Sequence, residues 1–162
     1  MTNYFGKRYS IVHTSNAVMD ASVQITGSSC GIGLGFVQHL VKRGDKVIAG
    51  VRNLDKAEYV KAITSEHLHI VQLDVTDYAS IKAEAAKVNE IVPESLYILI
   101  KTAGIILTNN LDPEIESAEG FITSFKANCV SVLQVTQALL TALEKRNRRL
   151  MQPFRWRVAL MS

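Results

Sequence analysis

The sequence predicts an α/β fold built on a doubly wound parallel sheet, and three observations carry that prediction. Short apolar runs of strand length alternate with segments whose apolar residues recur at three-four spacing. The links between these segments are short. The first strand passes into the first helix through a loop of small residues, "TGSSCGIG" (Thr26 to Gly33). With 162 residues, 48% of them hydrophobic, the chain suits one domain with a real core and has no room for a second.

The elements follow in order. "SVQIT" reads as a short buried strand. Gly33, Phe36, Val37, Leu40 and Val41 then mark one face of a helix, and Gly44 is its C-terminal stop. "KVIAGV" is the second strand, "NLDKAEYVKAI" a short polar helix, and "HIVQLDV" the third strand. Thr76 or Asp77 caps the next helix, in which Ile81, Ala85 and Val88 share a face. Pro93 breaks the chain before "LYILI", a run so apolar that it suits a strand covered on both sides. A long helix carries Phe125, Cys129, Val132, Thr136, Leu139, Leu140 and Leu143 on one side, and "RVALMS" is a fifth strand. Residues 1–21 read as a disordered leader and residues 22–162 as the folded domain.

Composition narrows the setting. Cys30 and Cys129 alone make no disulfide framework and fit a reducing, cytoplasmic compartment. No apolar run approaches the roughly 18 residues of a membrane span, and the first residues lack the apolar core of a secretory signal. Lys7, Arg8 and several hydroxyl residues beside a single acid, Asp20, keep a mitochondrial presequence as the alternative to an unstructured leader. The net charge of +3 is local: ahead of Glu144 the chain holds 12 Lys and Arg against 14 Asp and Glu, whereas "EKRNRRLMQPFRWR" holds six bases and one acid. The basicity is a tail, not a face. Cations that offset a helix C-terminal dipole account for it better than a nucleic-acid patch with Phe154 and Trp156 stacking on bases.

A doubly wound sheet binds ligands beyond the carboxyl ends of its strands, and its first strand-to-helix turn is where glycines admit a pyrophosphate. Gly27 allows the tight turn, Gly31 removes a side chain where phosphate passes, and Gly33 lets the helix lie close to the sheet. Ser29 and Ile32 complete the loop, and the helix N-terminus adds donors and a positive dipole. An ordinary glycine-rich turn is the plain alternative; the setting between strand and amphipathic helix favours a nucleotide.

The glycine spacing resembles the Thr-Gly-x-x-x-Gly-x-Gly of the short-chain dehydrogenases/reductases, "LDVTD" resembles their third-strand motif, and "NCVSVLQVTQALL" the long helix bearing their structural Asn. The likeness runs from Ser22 to Ser162, and "VIAGVRNLDKAE" with "VQLDVTD" is most similar to the sniffer and C-factor type of carbonyl reductase. The resemblance implies a Rossmann-like sheet truncated after its fifth strand. It implies that Asp74 faces an adenine, that Val75 contacts it through backbone, and that Asn128 belongs to a catalytic tetrad. It also implies a homodimer, or another partner, packed on the helix over 125–143.

By the same resemblance the end of the second strand chooses the cofactor. An acid there would hold the ribose 2′-hydroxyl of NAD, whereas an Arg pairs with the 2′-phosphate of NADP. Val51 stands in the acid's place and Arg52 follows, so NADP(H) is expected over NAD(H). Two departures mark the rest. The family's Asn-Asn-Ala-Gly appears as "KTAG", where Ala103 and Gly104 remain but Lys101 and Thr102 replace two amides. The family's catalytic Ser and its later Tyr-x-x-x-Lys have no counterpart after the fifth strand within these 162 residues.

The Tyr-x-x-x-Lys chemistry needs an ammonium near the phenol, which lowers the phenol's pKa so that it can protonate a carbonyl oxygen. "YILIK" (Tyr97 to Lys101) reads as strand, where four residues span roughly 13 Å, too far for that effect. "YASIK" (Tyr78 to Lys82) reads as helix, with its two residues about 5 to 6 Å apart, but it follows the third strand, at the adenine end. Cys30 at a helix N-terminus reads as loop filler in preference to a redox thiol. His67 and His69 lack the partners of a metal site, and no metal is expected.

The resemblance therefore implies the cofactor-binding portion of an NADPH-dependent carbonyl or alcohol oxidoreductase, expected to be catalytically incomplete as the chain stands. A small carbonyl substrate is expected only for a longer form. The alternative is a catalytically silent NADP-binding sensor or interaction module; neither membrane nor nucleic acid is expected as a partner.

Overall fold

The computed structural model describes residues 21–105 and 117–145. The expected leader, apart from Ala21, the strand "RVALMS" and the basic tail beyond Lys145 lie outside the described residues. Strands and helices alternate as β1 (Ser22–Thr26), α1 (Gly31–Arg43), β2 (Lys46–Val51), α2 (Glu58–Lys61), β3 (Leu68–Gln72), α3 (Tyr78–Ile91) and β4 (Ile98–Lys101). After them α4 (Ala118–Phe125) runs through a π-helical turn (Lys126–Val130) into α5 (Ser131–Glu144).

The four strands form one sheet in the order β3-β2-β1-β4, and every pairing is parallel. Side chains alternate between its two faces. On one face Val23, Ile25, Val47, Ala49 and Val51 meet Val37 and Leu40 of α1 and Val60 of α2. On the other Ile48, Val71 and Leu73 meet Ile81, Ala85 and Val88 of α3 and Val135 and Leu139 of α5. Both layers exist because each parallel connection must cross over the sheet. α1 follows β1 on one side while α5 follows β4 on the other, and between these neighbouring strands a crevice opens at their carboxyl ends.

Local signals set the element ends. Gly44 adopts a left-handed conformation (φ 93°), and the N–H groups of Gly44 and Asp45 return to the carbonyls of Val41 and Leu40 at 3.0 and 3.1 Å, closing α1 in a Schellman turn. Asp77 caps α3 by accepting the Ala79 N–H at 2.9 Å. At the far end of α3 the Lys145 ammonium donates to Asn89 Oδ1 and Pro93 O, both at 3.2 Å, which ties the end of α5 to α3.

Three expectations need correction. β4 is not covered on both sides among the described residues: Ile98 is 36% exposed and Leu99 and Ile100 are half-buried. The predicted stripe of the long helix is misphased. Of its seven residues Leu139 is buried, Val132, Thr136 and Leu143 are half-buried, and Phe125, Cys129 and Leu140 are exposed. The face turned inward is Ala127, Ser131, Val135, Leu139 and Ala142, because close packing there favours small residues over the largest apolar ones. On α1, Phe36 likewise points outward, leaving Gly33, Val37 and Leu40 as the buried residues.

Candidate functional site

The site begins with two threonines that join β1 to β4. Thr26 Oγ1 accepts the N–H groups of Thr102 and Ala103 at 3.2 and 3.1 Å, and Thr102 Oγ1 donates to Thr26 O at 2.5 Å. Thr102, which replaces an amide of the family pattern, thus holds the two strand ends together. Lys101, the other departure, donates from Nζ to Thr136 Oγ1 at 2.8 Å and fastens β4 to α5. Ser28 adds a third tie, its N–H donating to Gly50 O at 3.0 Å and its hydroxyl to Ile25 O at 2.8 Å.

These ties shape a cavity of about 610 Å³ at the carboxyl ends of the strands. Its walls are Gly27 and Ser29 to Gly33 from the first loop, Arg52 after β2, Leu73 to Thr76 after β3, Lys101 to Ile105 after β4, and Ala127. All ten residues expected to hold a cofactor, Gly27, Ser29, Gly31, Ile32, Gly33, Arg52, Asp74, Val75, Ala103 and Gly104, line it. Leu73, Thr76, Ile105 and Ala127 were not anticipated; their one sequence signal is adjacency to the motif residues.

Two glycines shape the mouth. A Cβ on Gly33 would strike Gly27 O and lie 2.7 Å from Thr102 Oγ1, so only glycine lets α1 start this close to the strand ends. Gly31 has φ +57°, and a Cβ there would meet nothing within 4 Å. Cys30, the N-cap of α1, makes no side-chain capping bond. The first amides of α1 have no intrahelical acceptor by helix geometry, so the turn offers donors and the positive end of the dipole to whatever enters.

Arg52 is exposed and lines this cavity, and among the described residues no side chain pairs with its guanidinium. Val51 beside it is fully buried. Asp74 accepts the N–H and hydroxyl of Thr76 through Oδ1 at 2.9 and 2.7 Å, and its own N–H donates to Ser80 Oγ at 2.9 Å. Asn128 lies in the π-helical turn and is not a wall of the cavity. Its Oδ1 accepts the Ile105 N–H and its Nδ2 donates to Ile105 O, each at 2.8 Å, so the amide secures the loop after β4.

Tyr78 and Lys82 stand together on α3, the ammonium 4.6 Å from the ring centroid, but neither lines the cavity. Burial, with Lys46 and His67 nearby, pushes His69 below the usual imidazole range. Among the described residues no group of three metal-ligating side chains occurs, and no helix is long and apolar enough to cross a membrane.

The short chain dehydrogenase family model matches residues 21–149. The chain belongs to this family of short-chain dehydrogenases/reductases. It is 34% identical to mouse estradiol 17-beta-dehydrogenase 2 over 80% of this chain and 34% of that protein. It is also 34% identical to human retinol dehydrogenase 16 over 78% of this chain and 40% of that protein. Among solved structures, the carbonyl reductase Sniffer of Caenorhabditis elegans superposes with a TM-score of 0.71 at 36% identity, covering 78% of this chain and 55% of that one. An NADPH-bound carbonyl reductase from chicken fatty liver gives the same score and identity over 78% and 50%. This dehydrogenase-family chain therefore spans 34 to 40% of the length of those curated relatives.

The glycine contacts give a paired expectation. Gly33→Ala forces α1 away from Gly27 and Thr102 and lowers stability by about 1–3 kcal/mol, the usual cost of overpacking. Gly35→Ala, where a Cβ meets nothing within 4 Å, raises it by about 0.5–1 kcal/mol through helix propensity. Urea denaturation of both variants decides; equal effects would show that the helix start does not press on the strand ends.

Proposed function

We propose that the cavity holds NADP(H) in preference to NAD(H), and that these residues are the cofactor-binding portion of a carbonyl or alcohol oxidoreductase. The observation that carries the reading is convergence: loops from the ends of all four strands line one cavity, with the uncapped start of α1 at its mouth. The residues fit such a group. The open space at Gly31 leaves a path for phosphate along the amides of α1, and Arg52 offers a planar fork that no side chain among the described residues engages. Asp74 and Val75 would border the adenine, and Ala103 and Gly104 the side toward the reacting ring. The bound nicotinamide would supply the hydride. Asn128 acts on the site through the Ile105 loop, as a positioning residue of the family tetrad. Free, exposed Cys30 and Cys129 fit a reducing cytosol.

Calorimetric titration tests cofactor choice. NADPH binds about tenfold or more tightly than NADH, the worth of a charge-assisted contact to the 2′-phosphate, and Arg52→Ala removes the preference. Equal affinities in the unaltered chain refute the assignment.

Among the described residues no Tyr and Lys pair lines the cavity. Tyr78 and Lys82 lie outside it, and of Tyr97 and Lys101, which stand just before β4 and at its end, only Lys101 lines it. The 162 residues alone are therefore expected to reduce carbonyls at background rate with NADPH, since a missing general acid forfeits about 10² to 10⁴ in rate. Absorbance assays at 340 nm decide (about 340 nm being the NADPH band). Turnover abolished by Tyr78→Phe would assign the acid to α3. The second reading, a cofactor sensor without turnover, rests on this same placement; it predicts tight NADPH binding with no product.

The outer face of α4 and α5 shows Phe121, Ile122, Phe125, Leu133 and Leu140, each 44–65% exposed. We propose that a second copy of the chain covers it, as the family resemblance implies for this helix. Light scattering should find a dimer that Leu133→Lys weakens; a monomer at all concentrations would overturn the proposal.

A further inference from the structure

Gln24 of β1 and Glu84 of α3 are both fully buried on the face of the sheet that carries α3 and α5. The Gln24 Nε2–H donates to Glu84 Oε1. The same nitrogen lies 3.2 Å from where a Cβ on Gly50 would stand, so the amide is packed against β2 as well. The remaining atoms of the two groups, Gln24 Oε1 and Glu84 Oε2, have no hydrogen-bond partner among the described residues. While the acid is ionised both of those atoms are acceptors, and neither can satisfy the other. Two orphaned acceptors, one of them charged, are a heavy burden on a small domain. A single proton on Oε2 supplies the donor that both lack.

We infer that Glu84 is held as the neutral acid, its Oε2–H donating to Gln24 Oε1, so that acid and amide form a two-bond clasp between β1 and α3 that breaks when the proton leaves. The charged groups around it do not replace the proton. Arg52, Asp74, Asp77 and Lys87 line with Glu84 a second cavity of about 480 Å³, and among the described residues none forms an ion pair with Glu84. Lys101 of β4, on the same face, gives its ammonium to Thr136. The stretch of α5 from Ser131 to Leu143 has no charged side chain. Burial accordingly pushes the Glu84 carboxyl up from 4.5 to about 7, opposed only in part by the Gln24 bond.

The clasp reaches the larger cavity through α3. Ser80, one turn before Glu84, accepts the Asp74 N–H, and Arg52 and Asp74 are walls of both cavities. The position of α3 therefore sets the wall beyond β3, and loss of the Glu84 proton loosens it. This holds whatever ligand the cavity takes, so it stands or falls separately from the cofactor reading.

An acid whose value is higher folded than unfolded favours folding most at low pH. Its contribution is whole below about 4.5, is lost as pH rises toward about 7, and is gone above that. Within that window the folding equilibrium weakens up to about tenfold per pH unit. Carbon-13 NMR of the full chain labelled at glutamate should show one side-chain carboxyl titrating near 7, with the Asp74 amide shifting at the same midpoint. Urea midpoints followed from pH 4 to 8 (about that span) should fall in the unaltered chain and lose this component in Glu84→Gln, where an uncharged amide keeps the pairing. If every glutamate titrates in the ordinary carboxylate range, Glu84 is ionised in the fold and the clasp does not exist. That NMR outcome decides the matter even if Glu84→Gln fails to fold.

Discussion

The contact on which the rest of the structure depends is the approach of the first turn of α1 to the end of β1. At Gly33 the helix lies against Gly27 O and Thr102 Oγ1 with no space for a side chain. Everything else in that layer takes its place from this point. Val37 and Leu40 reach the sheet because the helix starts so near it, and Ala49 and Val51 complete the interface from β2. The dipole of α1 also aims into the crevice between β1 and β4 for the same reason. The close packing that secures the fold also sets the first turn of α1 at the wall of the cavity.

The two faces of the sheet solve the packing problem differently. The α1 face of β1 is aliphatic, with Val23 and Ile25 fully buried. The opposite face carries Gln24 and Thr26, also buried, and each is committed to a neighbour on another element. Thr26 binds backbone of the β4 loop, and its bonds cost little because hydroxyl and amide are complementary. Gln24 meets a carboxyl group, so this face holds a buried amide and acid side by side.

Much of this was legible in the sequence where chemistry is local. β1 and β2 begin and end as predicted, because apolar runs are bounded by Gly27, Gly44 and Arg52. The ten proposed cofactor residues converge on one cavity because strand-to-helix loops of a parallel sheet all open at the same edge. Legibility fails where a position is decided by what packs across from it. The pattern "KAEAAKVNE" does not mark Glu84 as the buried acid among its polar neighbours, since the reason lies in Gln24, sixty residues earlier. In the long helix, hydrophobic size pointed to Phe125 and Leu140, whereas the inner face belongs to Ala127, Ser131 and Ala142.

The π-helical turn at Lys126–Val130 carries a consequence of its own. A turn of this kind spends one more residue than its α-helical neighbours, so the angular phase of everything after it rotates by about 100° relative to an unbroken helix. α4 and α5 are thereby out of phase, α5 burying Ser131, Val135, Leu139 and Ala142 while α4 buries no residue. The hydrophobic rhythm read ahead of the turn does not continue through it. The extra residue lets a single rod serve two masters, with Asn128 turned to the Ile105 loop and Val135 with Leu139 turned to the core.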